Sequence, residues 1–241
     1  MAVAGSNGQV RQAVILAGGQ ATRLRPYTDD RPKAMVPVAH KPIVDWQLEW
    51  LSTQGAEYIV VSCGYLADVL EAHLADHSYP LRIQVVVEKE PLGRGGALRY
   101  AAGQLPYPAE RWLALNGDVL CRFPLTDLVD RHVVMCAMAT VALTEYRTTW
   151  GIARLDEQDR IIEFVQSPKL PYWINAGVYV FEPDVVELLP ERGDHEDTTF
   201  PRLARDRRLG AYKIDGYWRG VDTVKDVKEA EKELTSWTGN P

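Results

Sequence analysis

The stretch AVILAGGQATRLRPYTDDRPK, residues 13–33, decides the fold that we expect for this chain. Residues 14–16 form a short apolar run, which is typical of a buried strand. Gly18 and Gly19 follow it at once, and since they have no side-chain bulk, their backbone N–H groups can approach an anion closely. The stretch therefore predicts a buried strand that ends in an anion-binding turn.

Two cations lie beyond the glycines. Arg23 and Lys33 bring positive charge to the same place, and Pro26 and Pro32 keep the segment between them out of a regular helix. A strand, a turn of small residues and fixed positive charge together predict a phosphate-binding device, although neither GxxxxGK[ST] nor GxGxxG occurs in the chain. The alternative is an ordinary Gly-Gly turn with solvated charges.

Length and charge narrow the class of protein. The chain has 241 residues, of which 46% are apolar, so it can bury a sizeable core. Its 27 basic and 33 acidic residues give a net charge of −6, which argues against nucleic acid as a partner but not against a nucleotide site. No apolar run reaches the roughly 18–20 residues of a membrane-spanning helix, so we expect no membrane partner.

The cysteines and the N-terminus favour a cytoplasmic protein. Cys63, Cys121 and Cys136 are odd in number, widely spaced and in no CxxC pattern, which indicates reduced thiols. The opening MAVAGSNGQVRQ lacks the apolar core of a signal peptide. We expect residues 1–11 to form a flexible tail.

Apolar strands and amphipathic helices alternate through the first half of the chain. We expect strands at residues 58–62, 82–88 and 112–115 and helices at 43–54, 66–74 and 97–102, with an irregular segment after Lys33. The second half predicts strands at 137–144, 151–155, 161–164, 174–181 and 209–214, and helices at 184–189, 200–205 and 224–234. This order predicts an α/β fold with a doubly wound, mainly parallel, Rossmann-like mixed sheet that is flanked by helices and binds ligands at the carboxyl ends of its strands.

The opening stretch also resembles a family signature. Written as GGxxTRLxPxTxxxPK and followed by Lys41-Pro42, it is similar to the signature of the sugar-1-phosphate nucleotidyltransferases, the NDP-sugar pyrophosphorylases. The motifs below extend the resemblance to about Asp226. It implies one nucleotidyltransferase-type domain over residues 1–241, without the C-terminal β-helix of many members, divided into a nucleotide-binding half (about 12–135) and a sugar-phosphate-binding half (about 136–236). Mg²⁺ is the implied cofactor, an NTP and a sugar 1-phosphate are the implied partners, and a homo-oligomer is possible.

The run EKEPLGRGGA, residues 88–97, resembles the family loop EPLGTAGA, with Arg94 and Gly95 where Thr and Ala are usual. Its glycines would let the backbone read a base edge, and Glu88 or Glu90 could accept from guanine N–H groups. Solvated loop carboxylates are the alternative. Together with the opening stretch and the motif that follows, the implied nucleotide-binding residues are Leu16, Ala17, Gly18, Gly19, Arg23, Glu88, Pro91, Leu92, Gly93, Gly96, Asn116 and Gly117.

The run WLALNGD, residues 112–118, puts Asp118 just beyond a predicted buried strand, where a ligand would lie. A hairpin turn at Asn116-Gly117 is the alternative. In the family this aspartate is a Mg²⁺ ligand, and the resemblance implies the same role here.

The run YWRGVDTVKD, residues 217–226, resembles the family segment WxDIGTPxD, but Gly220 stands where the metal-binding aspartate is usual. Glucose-1-phosphate cytidylyltransferases show the same shift, so the second metal role is carried to Asp222. The alternative is that Thr223 and Asp226 form a capping box, with Asp222 merely favouring the helix start. The predicted catalytic set is then Arg23, Lys33, Asp118 and Asp222, with the two aspartates as metal ligands.

The sugar half departs from the family pattern. Gly151 and the run from Asn175 match sugar-contacting positions, but where the family has FxEKP the chain has FVQSP, residues 164–168, and lacks both charged groups. Lys169 is near enough to replace the lysine. The implied substrate-binding residues are Gly151, Gln166, Lys169, Asn175 and Ala176; a bulge glycine and a strand-end turn are the alternatives for Gly151 and Asn175.

The resemblance implies nucleotidyl transfer from an NTP to a sugar 1-phosphate. The loop and the length look most like guanylyltransferases of mannose- or heptose-type 1-phosphates, which favours GTP, whereas the VDT variant favours cytidylyl transfer. Uridylyl transfer and a non-catalytic subunit that binds an NDP-sugar are further alternatives. Molybdenum-cofactor guanylyltransferases have RMGxDK where this chain has TRLRPYTDDRPK, and glycosyltransferases have a DxD motif where Asp118 is followed by Val119-Leu120.

Overall fold

The predicted alternation of strands and helices is present in the structure, a computed structural model that describes residues 10–19 and 21–235. The strands are β1 (Gln12–Leu16), β2 (Pro37–Val38), β3 (Lys41–Pro42), β4 (Tyr58–Cys63), β5 (Arg82–Val87), β6 (Trp112–Asn116), β7 (Val119–Arg122), β8 (Ala139–Arg147), β9 (Gly151–Leu155), β10 (Ile161–Gln166), β11 (Lys169–Phe181), β12 (Leu209–Lys213) and β13 (Tyr217–Gly220). The α-helices are α1 (Ile43–Thr53), α2 (Ala67–Asp76), α3 (Gly93–Ala102), α4 (Leu125–Val134), α5 (Thr199–Arg205) and α6 (Val224–Thr235), and 3₁₀-helices lie at Thr22–Leu24, Lys33–Met35 and Pro183–Leu188. Across the described ranges, none of the helices combines the length and the apolar character that crossing a membrane needs.

Most of the predicted tail, residues 1–9, lies outside the described residues. Its last two residues belong to the fold. Val10 is buried in the core, and Arg11 Nη2 donates to Glu110 Oε1 at 2.6 Å.

A seven-stranded sheet in the order β12-β8-β11-β6-β1-β4-β5 forms the centre of the molecule. Strands β5, β4, β1 and β6 are parallel, as are β8 and β12, and β11 runs antiparallel between β6 and β8. The sheet is therefore mixed and mainly parallel, which confirms the prediction. The carboxyl ends of β1, β4 and β6 meet at one edge, because parallel strands share their direction.

Side chains of the central strands alternate between two apolar cores. In β1, Ala13 and Ile15 belong to one core and Val14 to the other, as the two-residue period of a strand requires. The first core also contains buried side chains of α1, α2 and α4, whereas the second contains those of α3, α5 and the 3₁₀-helix Pro183–Leu188. Helices cover both faces of the sheet, so the doubly wound prediction is confirmed.

A third, smaller core joins the last helix to the opening stretch. Val227, Ala230 and Leu234 of α6 pack in it with Leu24 and Val36. The three α6 positions follow helical spacing, which places them on one face of the helix. This core fixes both the segment that carries Arg23 and the segment that precedes α6.

Several segments differ from the prediction, which also lacked strands β7 and β13. The residues after Lys33 are not irregular: a 3₁₀-turn leads into a short hairpin of β2 and β3, in which Val38 pairs with Lys41. Helix α4 was not predicted, although Leu125, Leu128 and Val129 lie at helical spacing and are buried.

Strands β9 and β10 form a separate two-stranded unit, termed the ribbon. Its large apolar side chains are exposed, with Phe164 62% and Ile161 61% accessible. The ribbon thus extends from the body of the fold instead of packing into its core.

Candidate active site

Four charged side chains meet at the edge where the parallel strands end; they are Arg23, Lys33, Asp118 and Asp222, termed the lysine cluster. Lys33 Nζ donates to Asp118 Oδ2 and to Asp222 Oδ1, each at 2.6 Å. Arg23 Nη2 donates to the same Asp222 oxygen at 3.3 Å, across a sequence separation of 199 residues. The four residues that the sequence predicts to be catalytic therefore lie together.

Asp118 is positioned by the turn after β6. Gly117 N donates to Leu16 O at 2.8 Å, and a Cβ at this position would lie 2.5 Å from that oxygen. Only glycine lets the turn approach β1 so closely. The side-chain amide of Gln47 donates to backbone carbonyls on both sides of the turn, at 2.8 and 2.9 Å. The alternative of a β6–β7 hairpin is wrong, because β7 pairs with β13.

Asp222 is brought to the same place by strand pairing. β13 runs antiparallel to β7, with Gly220 opposite Val119. Beyond this pair, Val221 N donates to Asp118 O at 2.8 Å. The chain that carries Asp222 is thereby fastened to the Asp118 turn, although the two lie far apart in sequence.

Helix α6 begins with the capping box that the sequence predicts as an alternative. Thr223 N donates to Asp226 Oδ2 at 2.8 Å, and Asp226 N donates to Thr223 Oγ1 at 3.3 Å. The box uses the carboxylate of Asp226, while the carboxylate of Asp222 holds Lys33. The two interpretations of this segment are therefore compatible.

The lysine cluster can hold a divalent cation together with a substrate. Across the described ranges, no group of three or more His, Cys, Asp or Glu side chains is arranged to bind a metal, but the carboxylates of Asp118 and Asp222 face each other across one ammonium. Mg²⁺ is typically held by one or two carboxylates plus substrate phosphates and water, so this donor set fits Mg²⁺. Burial raises the pKa of the Asp222 carboxyl, but the hydrogen bond and charge of Lys33, with Arg23, outweigh burial and lower that pKa, which keeps the carboxylate ionised.

A cavity of about 520 Å³ opens where β1, β4 and β5 end, and a smaller one of about 120 Å³ contains Lys33 and Asp118. The two share Leu16, Gly18 and Arg94. Of the predicted nucleotide-binding residues, Leu16, Gly18, Gly19, Glu88, Pro91 and Gly93 line the larger cavity, Leu16, Ala17, Gly18, Asn116 and Gly117 line the smaller, and Arg23, Leu92 and Gly96 line neither. A third cavity of about 540 Å³, between α1, β7 and α6, contains no residue of the lysine cluster.

The two carboxylates considered for base recognition have different surroundings. Glu88 lines the larger cavity and accepts from Ser62 Oγ at 3.0 Å and from Leu92 N at 3.2 Å. Glu90 is exposed and pairs with Arg192 at 2.7 Å. The structure thus favours Glu88 over Glu90 for a base contact.

Close packing explains why glycine occupies two positions of the predicted base loop. A Cβ at Gly95 or Gly96 would lie under 3 Å from backbone atoms of the segment that follows Pro190. The N–H groups of both residues donate to Gly193 O, at 2.9 and 3.2 Å. The N–H of Gly96 therefore already has a partner within the fold, and a contact of Gly96 with the base stays a prediction.

A second polar group includes Arg94, which lines both cavities; its members are Arg94, Asn175, Tyr179, Asp194 and Glu196, termed the Arg94 cluster. Arg94 Nη2 donates to Asp194 Oδ2 at 2.8 Å, and Nη1 lies 2.5 Å from Glu196 Oε2. The other Glu196 oxygen accepts from Asn175 Nδ2 at 2.7 Å and from the Tyr179 hydroxyl at 3.3 Å. The cluster thereby joins the start of α3 to β11 and to the segment before α5.

The predicted sugar-binding residues lie on the ribbon and on β11. Gly151 and Gln166 are register partners at one end of the ribbon. Lys169 pairs with Glu145 on the exposed start of β11, and its role as a replacement for the missing phosphate-binding lysine stays a prediction. Ala176 is buried, and its carbonyl accepts from Trp218 Nε1 at 2.6 Å.

Sequence reasoning missed the acidic partners of Arg94. Asp194 lines the larger cavity and Glu196 binds Asn175, yet neither follows a strand. The one signal was the charged run ERGDHED, residues 191–197, which also describes an ordinary solvated loop. Their place beside α3 depends on tertiary packing.

The chain matches the family model described as nucleotidyl transferase over residues 12–236. It is 34% identical over 226 residues to a mannose-1-phosphate guanylyltransferase catalytic subunit beta of Drosophila pseudoobscura pseudoobscura, covering 91% of this chain and 61% of that protein. It is 34% identical over 231 residues to a mannose-1-phosphate guanylyltransferase of Mycobacterium tuberculosis, covering 92% of this chain and 64% of that protein. The chain thus spans about three fifths of the length of these curated relatives.

Solved structures of the same fold exist. The crystal structure of HddC from Yersinia pseudotuberculosis matches with a TM-score of 0.73 and 25% sequence identity, covering 93% of this chain and 100% of that chain.

Proposed function

The chain belongs to the nucleotidyl transferase family, and on that premise we propose that it transfers a nucleotidyl group from an NTP, with GTP favoured, to a sugar 1-phosphate. The observation that carries the proposal is the lysine cluster, in which two carboxylates and two cations from three distant segments meet beside a cavity of nucleotide size. A phosphate oxygen of the sugar 1-phosphate attacks the α-phosphorus in line. The bond to the bridging oxygen breaks, and pyrophosphate leaves.

The protein's part in this reaction is to hold two polyanions together. Arg23 is 72% exposed and reaches over the cluster, where it binds the triphosphate and stabilises the charge that develops on the leaving pyrophosphate. Gly18 and Gly19 supply backbone donors to the phosphates. Lys33 lies at the centre, where it neutralises the α-phosphate and the incoming sugar phosphate. Orientation and charge neutralisation suffice, and no covalent enzyme intermediate is required.

Mg²⁺ is part of the proposal. Asp118 and Asp222 would hold it, and it would supply polarisation of the α-phosphate and alignment of the attacking phosphate. The remaining ligands would come from substrate and water, because the protein brings two carboxylates to this point.

The choice of GTP and of a mannose- or heptose-type acceptor is supported by two observations. The curated relatives named above are guanylyltransferases of mannose 1-phosphate, and the carboxylate of Glu88 lies at the wall of the larger cavity, where it can accept from the N–H groups of guanine. A cytoplasmic location is proposed on the same ground, since nucleoside triphosphates are available there. A homo-oligomer stays a prediction.

Pyrophosphate release tests the proposal. Purified protein is supplied with Mg²⁺, each of the four NTPs and a panel of sugar 1-phosphates, with the Asp118→Asn variant and added EDTA as controls. GTP with mannose or heptose 1-phosphate should give the highest kcat/KM, and both controls should abolish release. A preference for CTP would move the base assignment to the cytidylyl alternative. If the protein binds an NDP-sugar tightly but turns over no pair of NTP and sugar 1-phosphate, the regulatory-subunit alternative would be favoured over the enzyme.

A further inference from the structure

We propose that Arg94 determines acceptor specificity: clamped by Asp194 and Glu196, it contacts hydroxyl groups of the acceptor sugar and takes over the recognition that the ribbon lacks. The inference rests on the proposed function, since it names the residue that selects the sugar for that reaction.

The first observation is the position of Arg94. It stands at the start of α3 and lines both the larger cavity and the smaller cavity that contains Lys33 and Asp118. Of the side chains that the structure describes there, Arg94 is the cation common to both walls. A substrate that occupies both cavities would therefore lie close to Arg94.

The second observation is that the guanidinium is held rigidly. Asp194 accepts from both the backbone N and Nη2 of Arg94, each at 2.8 Å, and Glu196 holds Nη1 at 2.5 Å. A planar guanidinium has five N–H donors in fixed directions, so donors remain for a ligand while the two carboxylates fix the plane. Arginine beside carboxylates presents alternating donors and acceptors, which suits hydroxyl groups because each of them donates and accepts.

The third observation is what the ribbon does not supply. Gln166 and Ser167 are neutral, and the ammonium of Lys169 is paired with Glu145. The Arg94 cluster instead brings a charged group, the guanidinium of Arg94, to the smaller cavity. Its Glu196 also binds Asn175, one of the residues that the sequence predicts to contact the sugar. Arg94 thus connects the cavity of the nucleotide to the predicted sugar contact.

Acceptor kinetics of Arg94→Thr test the inference. This variant restores the residue that is usual in the family loop. We expect the KM for the sugar 1-phosphate to rise by at least about tenfold, while the KM for the NTP changes by less than about threefold, since one lost charge-assisted contact has that size. Arg94→Lys should resemble Arg94→Thr, because a point charge cannot span both carboxylates. The matched control is Arg160→Gln, which removes one positive charge from the exposed pair with Asp156 and should leave both KM values unchanged.

A panel of monodeoxy sugar 1-phosphates separates contact from mere support of the fold. If Arg94 binds a hydroxyl, Arg94→Thr should lose the discrimination against one deoxy position only, whereas a structural role would lower kcat/KM for all acceptors alike. Equal KM increases for NTP and acceptor, or unchanged discrimination, would overturn the inference. If Arg94→Thr does not fold, Glu196→Gln serves in the same panel and should weaken the same deoxy discrimination. Wild-type protein that releases no pyrophosphate with any pair would instead refute the proposed function.

Discussion

The lysine cluster and the Arg94 cluster are built from similar side chains but are held in different ways. In the lysine cluster the carboxylates stand on turns that are bonded to the central strands, at Gly117 N to Leu16 O and at Val221 N to Asp118 O. In the Arg94 cluster, side chains hold one another, through the bonds of Glu196 to Arg94 and to Asn175. Backbone hydrogen bonds place both carboxylates of the first group, whereas the second depends more on contacts between its own side chains.

This difference indicates a division of labour. Nucleotidyl transfer needs the phosphates at one geometry whatever the sugar, which a turn fastened to the sheet provides. Acceptor choice must change between related enzymes, and a cluster of side chains changes by substitution without moving a strand. We therefore expect all-or-none effects on kcat in the lysine cluster and graded effects on KM in the Arg94 cluster.

The largest effect should come from the carboxylates of the lysine cluster. Asp118→Asn and Asp222→Asn should each lower kcat by about a thousandfold or more, because each removes one of the negative charges that would hold Mg²⁺. The melting temperature should change little, since Lys33 keeps the other carboxylate as a partner. Glu49→Gln, which alters an exposed pair with Lys41, is the matched control. Near-normal turnover of either variant would remove the distinction between the two clusters.

Arg23→Ala should come next. The side chain is mostly exposed, so its loss should hardly affect stability, but we expect about a hundredfold loss in kcat/KM for the NTP, roughly 3 kcal/mol in the barrier. Arg31→Ala is the control, because Arg31 pairs with its neighbour Asp30 on the surface. Steady-state kinetics at varied NTP concentration measure this loss. A rise confined to the KM for the acceptor would show that Arg23 binds the sugar 1-phosphate and not the NTP.

The lysine cluster could be predicted from sequence for a physical reason. Asp118 follows a buried strand directly, and Gly18 follows another, so the direction of parallel strands alone brings the two to one edge. The position of Asp222 was harder to predict, because the pairing of β13 with β7 brings it to this edge of the sheet. The family signature supplied that step, not the hydrophobic pattern.

The Arg94 cluster could not be predicted because no sequence motif or strand end marks its acidic members. Arg94 and Asp194 are 100 residues apart, and their meeting depends on α3 packing against the segment after Pro190. The same packing explains Gly95 and Gly96, which sequence reasoning assigned to a base contact. For Lys169, spacing suggested a replacement for the phosphate-binding lysine, and the structure shows its ammonium paired with Glu145.

The buried imidazole behind the Arg94 cluster should make this region sensitive to acid. His195 is fully buried against the rings of Tyr179 and Phe200, and in the described part of the chain neither of its ring nitrogens has a hydrogen-bond partner. Burial, with the charge of Arg94, lowers its pKa to about 4. Below about pH 6.5 the imidazole of His195 is protonated in the unfolded chain but stays neutral in the folded chain. The free energy of unfolding therefore falls as the pH drops from about 6.5 to 4.

Replacement of this histidine should remove the sensitivity. At pH 5 the proton uptake costs wild-type protein about 2 kcal/mol of unfolding free energy relative to pH 7, and His195→Leu should be spared that loss. Urea unfolding at the two pH values measures the difference, with the exposed His40→Asn as the control that should behave like wild type. Identical pH dependence in wild type and His195→Leu would show that the imidazole titrates normally.

The smallest effect is expected at Asn175. It tests most directly whether the lysine cluster and the Arg94 cluster act separately. Its amide donates to Glu196 and to the Tyr179 hydroxyl, and its oxygen accepts from Gly177 N at 2.8 Å. Asn175→Ala should raise the acceptor KM by about tenfold, near 1.4 kcal/mol, with kcat within about threefold of wild type. The exposed Gln104→Ala is the control for loss of an amide. A fall in kcat as large as that of Asp118→Asn would mean that the side-chain network also sets the phosphate geometry, and the two clusters would then act as one unit.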